Sequence, residues 1–335
     1  MRHFYSLNEF SSEQIAEFVD SALAFKESPY SEVLERRQIA LLFLNESLRT
    51  RCSFEVATRE LGGDVSTLDA KTLFALESEF GNRMDGASAE HVKEAIGVFS
   101  RYFSALGLRS FARGEDQQED LLDKIFTTFL EHAKIPVFNM ESALYHPCQA
   151  LADLMTIKEL FQDFQGRKVT ITWANHPRAL PMAVANSALL AMTKMGMHVT
   201  LAHPESFDLQ EGIMNMAGDL AVKSGGSLDV VHDRLEGAKD ADVVYAKSWG
   251  SLLRYEDPGA EQDLRDGLKD WVVDSELMSC TRRAYFMHCL PVRRNVVVSD
   301  EVIDSNRSVV LQEAENRLHA RRRFLNGSFP ERSTP

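Results

Sequence analysis

Short apolar runs alternate along the chain with longer segments in which apolar residues recur every three or four positions; the first kind predicts buried strands and the second amphipathic helices. In "SSEQIAEFVDSALAFKES" the residues Ile15, Phe18, Val19 and Leu23 fall near one face behind Ser11 or Ser12, so a capped helix is expected. "RQIALLFLN" then reads as a strand, "SLRTR" as a loop or first helical turn, and "CSFEVATRELGG" as a helix stopped by glycines. The alternation continues with a helix and strand across "HVKEAIGVFSRYFSALGLRSF", one helix over "QEDLLDKIFTTFLEHA" and a strand at "IPVFNM". Further on, "RKVTITW", "MHVTLAHP", "LDVVHD", "ADVVYAKSW" and "RAYFMHCL" read as strands, with a helix at "PMAVANSALLAMTKMG". The predicted fold class is therefore α/β, with two parallel-sheet domains. The division expected is 1–152, 153–315 and a basic amphipathic helix over 316–335 that packs back on the first domain, "HPCQALADLMTIKELFQDF" forming the helix between domains.

A length of 335 residues suits two such domains. The formal charge of −13 argues against broad, sequence-independent nucleic-acid binding, though not against a local basic pocket. Four cysteines without a C-x-x-C pair do not suggest a disulfide scaffold, so a reducing, cytoplasmic setting is expected. "MRHFYSLNEFSSEQ" lacks the apolar core of a signal peptide, and no apolar run is long enough to cross a bilayer. Neither a complete G-x-x-x-x-G-K-[ST] loop nor a G-x-G-x-x-G after a strand occurs, which lowers the expectation of an ATPase or a nicotinamide enzyme.

Candidate chemistry starts at Ser47, Arg49, Thr50 and Arg51, crowded between a predicted strand and helix. Free N–H groups at a helix start, together with guanidinium donors, can bind a phosphate; the competing reading is a solvated cap with ordinary ion pairs. Arg109 follows a predicted strand, and "LYHPCQ" sets His146 and Gln149 beside Pro147. Histidine can polarise a carbonyl oxygen and glutamine can bind an amide, although a lone histidine is more often structural.

Taken together, SLRTR at 47–51, HPCQ at 146–149 and HCLPVRRN at 288–295 resemble the aspartate/ornithine carbamoyltransferase family, over nearly the whole chain. "MDGASAEH", "ESALYHPCQ", "VYAKSWG" and "EAENRLH" resemble the branch that carbamoylates N-acylated ornithine. The resemblance implies a carbamoyl-phosphate-binding first domain, an N-acylornithine-binding second domain, and a homotrimer with shared active sites. It implies no cofactor, metal, nucleic acid or membrane partner. Ser47, Leu48, Arg49, Thr50 and Arg51 match the carbamoyl-phosphate loop, and Arg109, His146 and Gln149 the positions holding phosphate and carbamoyl group. Glu141, Lys247 and Arg293 match positions tied to the second substrate, with His176 and Arg178 assigned to the same end. Cys289 and Leu290 lie in the segment tied to the ornithine side chain, where a covalent cysteine is not required.

Substrate choice is expected to turn on Ala89. The N-acetyl subgroup carries glutamate at the position of Ala89 and lysine at that of Val297; the N-succinyl subgroup carries proline at the first. Ala89 removes bulk and charge, which favours N-succinylornithine, its terminal carboxylate pairing with Arg178 or Arg294. The expected reaction in arginine biosynthesis yields N-succinyl-L-citrulline and phosphate. N-acetylornithine, then free ornithine, are the alternative substrates, and a non-catalytic small-molecule binding protein is the alternative from another class. Phe74 stands where the family often has tryptophan and would form an apolar wall, and the loop carrying Ala89 is expected to reach a neighbouring subunit.

Overall fold

The computed structural model describes residues 3–70, 75–78 and 80–329. The first domain runs α1 (Ser12–Glu27), β1 (Gln38–Phe43), α2 (Leu48–Glu60), β2 (Asp64–Asp69), β3 (Leu76–Glu77), β4 (Glu90–His91), α3 (Val92–Tyr102), β5 (Ala105–Arg109), α4 (Gln117–Leu121), α5 (Lys124–His132) and β6 (Val137–Glu141). Its four-stranded parallel sheet has the order β2-β1-β5-β6. Burial of five of the six β1 residues and of all of β5 and β6 explains their unbroken apolar runs, since helices cover both faces. Ser11 is the cap of α1, its hydroxyl accepting from the Gln14 amide while the Gln14 side chain reaches back to Ser11.

α6 (Pro147–Phe161) crosses to the second domain, which continues β7 (Lys168–Trp173), α7 (Ala183–Lys194), β8 (His198–Ala202), α8 (Glu211–Ser224), β9 (Ser227–Val231), α9 (Arg234–Gly237), β10 (Val243–Lys247), α10 (Pro258–Asp266), α11 (Ser275–Ser279), β11 (Tyr285–Met287), α12 (Asp300–Ile303) and α13 (Val310–Gly327). Its five parallel strands are ordered β11-β10-β7-β8-β9. α13 returns to pack on α1, α2 and α6, and Arg322 ties it to Glu60 and to the Phe25 carbonyl.

Three expectations are corrected. The single helix expected from 118 to 133 is two, because Asp123 sits in the left-handed region (φ 46°) and turns its carboxylate to the Tyr5 hydroxyl (2.9 Å) and the Ala143 amide (3.3 Å). The boundary at 152/153 falls inside α6, which is unbroken and almost wholly buried between the domains. The terminal helix starts at Val310, ahead of 316. β2 and α8 were not anticipated: β2 is a half-exposed edge strand with polar residues, and α8 carries only a narrow apolar stripe at Ile213, Ala217 and Ala221.

Candidate active site

Both sheets present the carboxyl ends of their strands to one interdomain cleft of about 510 Å³. From the first domain it is lined by Ser47, Leu48, Arg49, Arg109, Phe111, Glu141, His146 and Gln149. His176, Arg178, Lys247, Ser248, His288 to Pro291, Arg293 and Val297 line it from the second, with Arg317 from α13.

At the β1 end, Ser47 caps α2, its hydroxyl accepting from the Thr50 amide at 3.2 Å. Arg49 lies in the first turn of α2, so its guanidinium is a donor for an anion at the positive pole of the helix dipole. Arg49 is half-buried, its Nε lacks a hydrogen-bond partner, and its pKa is lowered by burial and then by the charge of Arg317. Thr50 is fully buried, and its hydroxyl accepts from Arg317 Nη2 at 2.9 Å. Arg51 does not enter the cleft: it lies on the outer side of α2, paired with Glu55 at 3.0 Å. Two residues apart on a helix means about 200° of rotation, so Arg49 and Arg51 cannot share a face.

Arg109 ends β5 and donates to Glu141 Oε2 at 2.5 Å, over the Phe111 ring. Glu141, at the end of β6 with φ 155°, also faces His146 Nε2 at 3.5 Å. His146 caps α6, with Pro147 at the first helical position, and its amide donates to the Ser187 hydroxyl at 2.7 Å. Burial and then the charges of Arg317 and Arg109 push its pKa well below the usual histidine range, so the ring is neutral. Gln149 spends its amide N–H₂ on Asp153 Oδ1 (2.8 Å) and Glu313 Oε1 (2.9 Å), leaving Oε1 without a partner. His146 Nδ1 and Arg109 Nε are likewise buried without partners, so the cleft wall holds unspent polar atoms.

On the opposite wall Lys247 ends β10 and donates to the Ser248 carbonyl at 2.8 Å. Arg293 Nε donates to His176 Nε2 at 3.1 Å, and His176 Nδ1 lies between the Arg178 amide, which donates to it at 3.1 Å, and the Arg178 carbonyl at 3.0 Å. His176 is lowered to about 4, chiefly by burial. His288 is lowered to about 3 by burial and then by Lys247, and its Nδ1 accepts from the Leu290 amide at 2.9 Å. Burial raises the Cys289 thiol to about 11, so it is not a thiolate, and its carbonyl accepts from Arg317 at 3.4 Å.

Ala89 is exposed on the strand-like approach to β4 and does not line this chain's cleft. Arg294 is also outside it, held by Asp300 and Asp304 at 2.7 and 2.6 Å, which removes it as a partner for a distal carboxylate within this chain. Phe74 lies outside the described residues. Asp153, Glu313 and Arg317 were not anticipated; the available signal was the run of polar residues on the inward face of α13, where Glu313, Asn316, Arg317, Ala320 and Arg321 are all buried. No group of three or more metal-ligating side chains occurs among the described residues.

Comparison with known proteins gives this geometry a context. The chain is 39% identical to the N-acetylornithine carbamoyltransferase of Xanthomonas axonopodis pv. citri (strain 306) over 329 residues, 97% of this chain and 96% of the relative. It is 40% identical to the N-succinylornithine carbamoyltransferase of Bacteroides fragilis (strain 638R) over 289 residues, 86% of each. A crystal structure of acetylornithine transcarbamylase complexed with acetylcitrulline superposes with a TM-score of 0.96 at 38% identity, covering 99% of this chain and 100% of that one. Residues 2–159 match the carbamoyl-P binding domain, and residues 166–326 the Asp/Orn binding domain, of the aspartate/ornithine carbamoyltransferases, and the chain belongs to that family.

Proposed function

We propose that this carbamoyltransferase moves the carbamoyl group of carbamoyl phosphate to the δ-amine of an N-acylated ornithine, as a step of arginine biosynthesis. The observation that carries the reading is one cleft that combines a capped helix N-terminus, Arg49 and Arg109 with a neutral histidine, and faces them with Lys247 and Arg293. Arg49, Arg109 and the α2 N–H groups hold the phosphate. His146 donates to the carbamoyl oxygen, and Gln149 Oε1 accepts from the carbamoyl N–H₂. The amine nitrogen attacks the carbamoyl carbon, the carbon–oxygen bond to phosphate breaks, and the departing phosphate takes the amine's proton. Surrounding cations favour the neutral, nucleophilic amine and stabilise the growing negative charge. Lys247 and Arg293 hold the α-carboxylate, and Glu141 accepts from the acylated nitrogen. Cys289 needs no covalent part.

For the acyl group, four relatives named N-acetylornithine carbamoyltransferase, 36–39% identical over 97% of this chain, support acetyl. Succinyl is the second reading, favoured by Ala89, which has neither the bulk nor the charge of glutamate. Crystal structures of Glu→Ala, Glu→Ser and Glu→Pro variants of N-acetyl-L-ornithine transcarbamylase hold carbamyl phosphate and N-succinyl-L-norvaline. Ala89 is exposed in the single chain, which agrees with a loop offered to the cleft of a neighbouring subunit in a homotrimer.

Phosphate release measured with N-acetylornithine, N-succinylornithine and free ornithine tests both levels. Higher kcat/KM on either acylated compound than on ornithine supports the class, and the order of the two identifies the acyl group. Turnover of ornithine alone, or of none, overturns the proposal.

A further inference from the structure

Behind Gln149 lie two carboxyl groups that the chemistry above leaves unused. Asp153 sits one turn along α6 and Glu313 in the first turn of α13, and both are buried, 1% and 0% exposed. The two N–H bonds of the Gln149 amide are directed at Asp153 Oδ1 and Glu313 Oε1, at 2.8 and 2.9 Å. The second Glu313 oxygen accepts from the backbone N–H of His288 at 2.9 Å. Three chain segments distant in sequence therefore meet on one pair of side chains.

Turning the Gln149 amide over would set its oxygen against two carboxyl oxygens, acceptor against acceptor, and leave a buried N–H₂ on the cleft side. The pair thus decides which atom of Gln149 faces the substrate. Two buried carboxylates sharing one amide cannot both be ionised at this separation. Asp153 Oδ2 is buried, and the side chains of Asp153 and Glu313 interact with each other, so the retained proton is shared between the two carboxyl groups. The groups facing the pair are Arg317 from α13, Tyr245 from β10 and Cys289 beyond β11, so a single cation balances the single remaining charge. Burial raises Asp153 to about 7 and Glu313 well above the usual carboxylate range, in keeping with one retained proton.

We propose that Asp153 and Glu313 are positioning residues, a singly protonated carboxyl pair that fixes the Gln149 carbonyl oxygen toward the carbamoyl group and couples α6, the 288–291 segment and α13 into one unit. The proposal rests on the carbamoyl-transfer reading. Its chemical consequence is selectivity for the donor: a carbamoyl N–H₂ satisfies Gln149 Oε1, whereas the methyl group of acetyl phosphate, of similar shape, leaves that oxygen unpaired.

The test is calorimetric binding of carbamoyl phosphate and acetyl phosphate to the full chain, alongside turnover. Asp153→Asn places an N–H₂ where the shared proton lies and should keep the wild-type preference for carbamoyl phosphate within about twofold. Asp153→Ala removes one of the two acceptors that orient the amide and the partner of the shared proton, and should reduce that preference about tenfold, the effect of one buried acceptor finding or losing its donor. A preference unchanged in Asp153→Ala, or equally lost in Asp153→Asn, overturns the proposal. Asp153→Ser, whose side chain is too short to reach Gln149, replaces the alanine variant if that one does not fold. A wild-type protein that turns over no ornithine derivative would refute the transfer reading, while the ratio of the two dissociation constants still judges the pair.

Discussion

Arg49 tests the electrostatic logic of the phosphate end, because the empty and occupied cleft should respond to its removal with opposite sign. Among the described residues no carboxylate pairs with it, burial lowers its pKa, and Arg317 and Arg109 add like charge. In the empty protein Arg49→Met removes a half-buried, unpaired cation and keeps the aliphatic stem, so stability should stay level or rise by up to about 2 kcal/mol. Phosphate affinity should fall, since two charge-assisted hydrogen bonds at about 1.5–3 kcal/mol each correspond to a loss of roughly 10² to 10⁴-fold. Linkage makes both effects readable from urea unfolding at 25 °C. Carbamoyl phosphate at about 100 times its wild-type Kd should stabilise the wild type by about 2.7 kcal/mol. A variant binding 100-fold more weakly would gain only about 0.4 kcal/mol under the same conditions. An Arg49→Met protein that is clearly less stable when empty, yet keeps the full ligand-induced gain, would refute the reasoning.

The neutral, protonated thiol of Cys289 predicts that Cys289→Ala keeps turnover within about tenfold of wild type; loss of a thousandfold or more in the same assay would restore a covalent role. Glu261 and Arg265 form a buried pair at 2.6 Å, and Arg265 also holds the His176 carbonyl at 3.1 Å. Glu261→Gln should therefore cost about 3–5 kcal/mol in urea unfolding and raise KM for the ornithine substrate. The folded-state pKa of His176, about 4, lies below its unfolded value of 6.5. Its contribution to stability is thus complete above about pH 6.5 and is lost as pH falls toward 4. Protonation also turns the acceptor for Arg293 into a donor, so KM for the ornithine substrate should climb below about pH 5 faster than kcat falls; a parallel decline of the two would count against it.

Much of this site was legible because its residues sit where local rules operate. Ser47 is a cap at a strand-to-helix junction, and Pro147 starts α6 immediately after His146, so both positions carry a signal within a few residues. Arg51 shows the limit: its match to the carbamoyl-phosphate loop put it among the site residues, while helical rotation and Glu55 send it outward. Asp153, Glu313 and Arg317 were hidden for a different reason. Each is a charged residue in the interior, and only tertiary packing of α13 against α6 and α2 supplies the partners that make such burial tolerable.

Strand order explains why two separate domains make one site. In the first sheet the chain goes from β1 to β2 on one side and then to β5 on the other, so a crevice opens between the ends of β1 and β5, where Ser47 and Arg109 lie. The second sheet reverses in the same manner between β7 and β10, beside His176 and Lys247. Each reversal alone offers a shallow, mostly cationic groove, able to hold one anionic substrate. Facing each other across α6, the two grooves join in one cleft with room for the two substrates proposed above, and α13 supplies Arg317 between them, bonded to Thr50 on one wall and the Cys289 carbonyl on the other. Arg317→Met should for that reason weaken the binding of each substrate in the presence of the other more than it weakens either alone. Equal losses in the binary and ternary complexes would show that Arg317 serves one groove and does not join them.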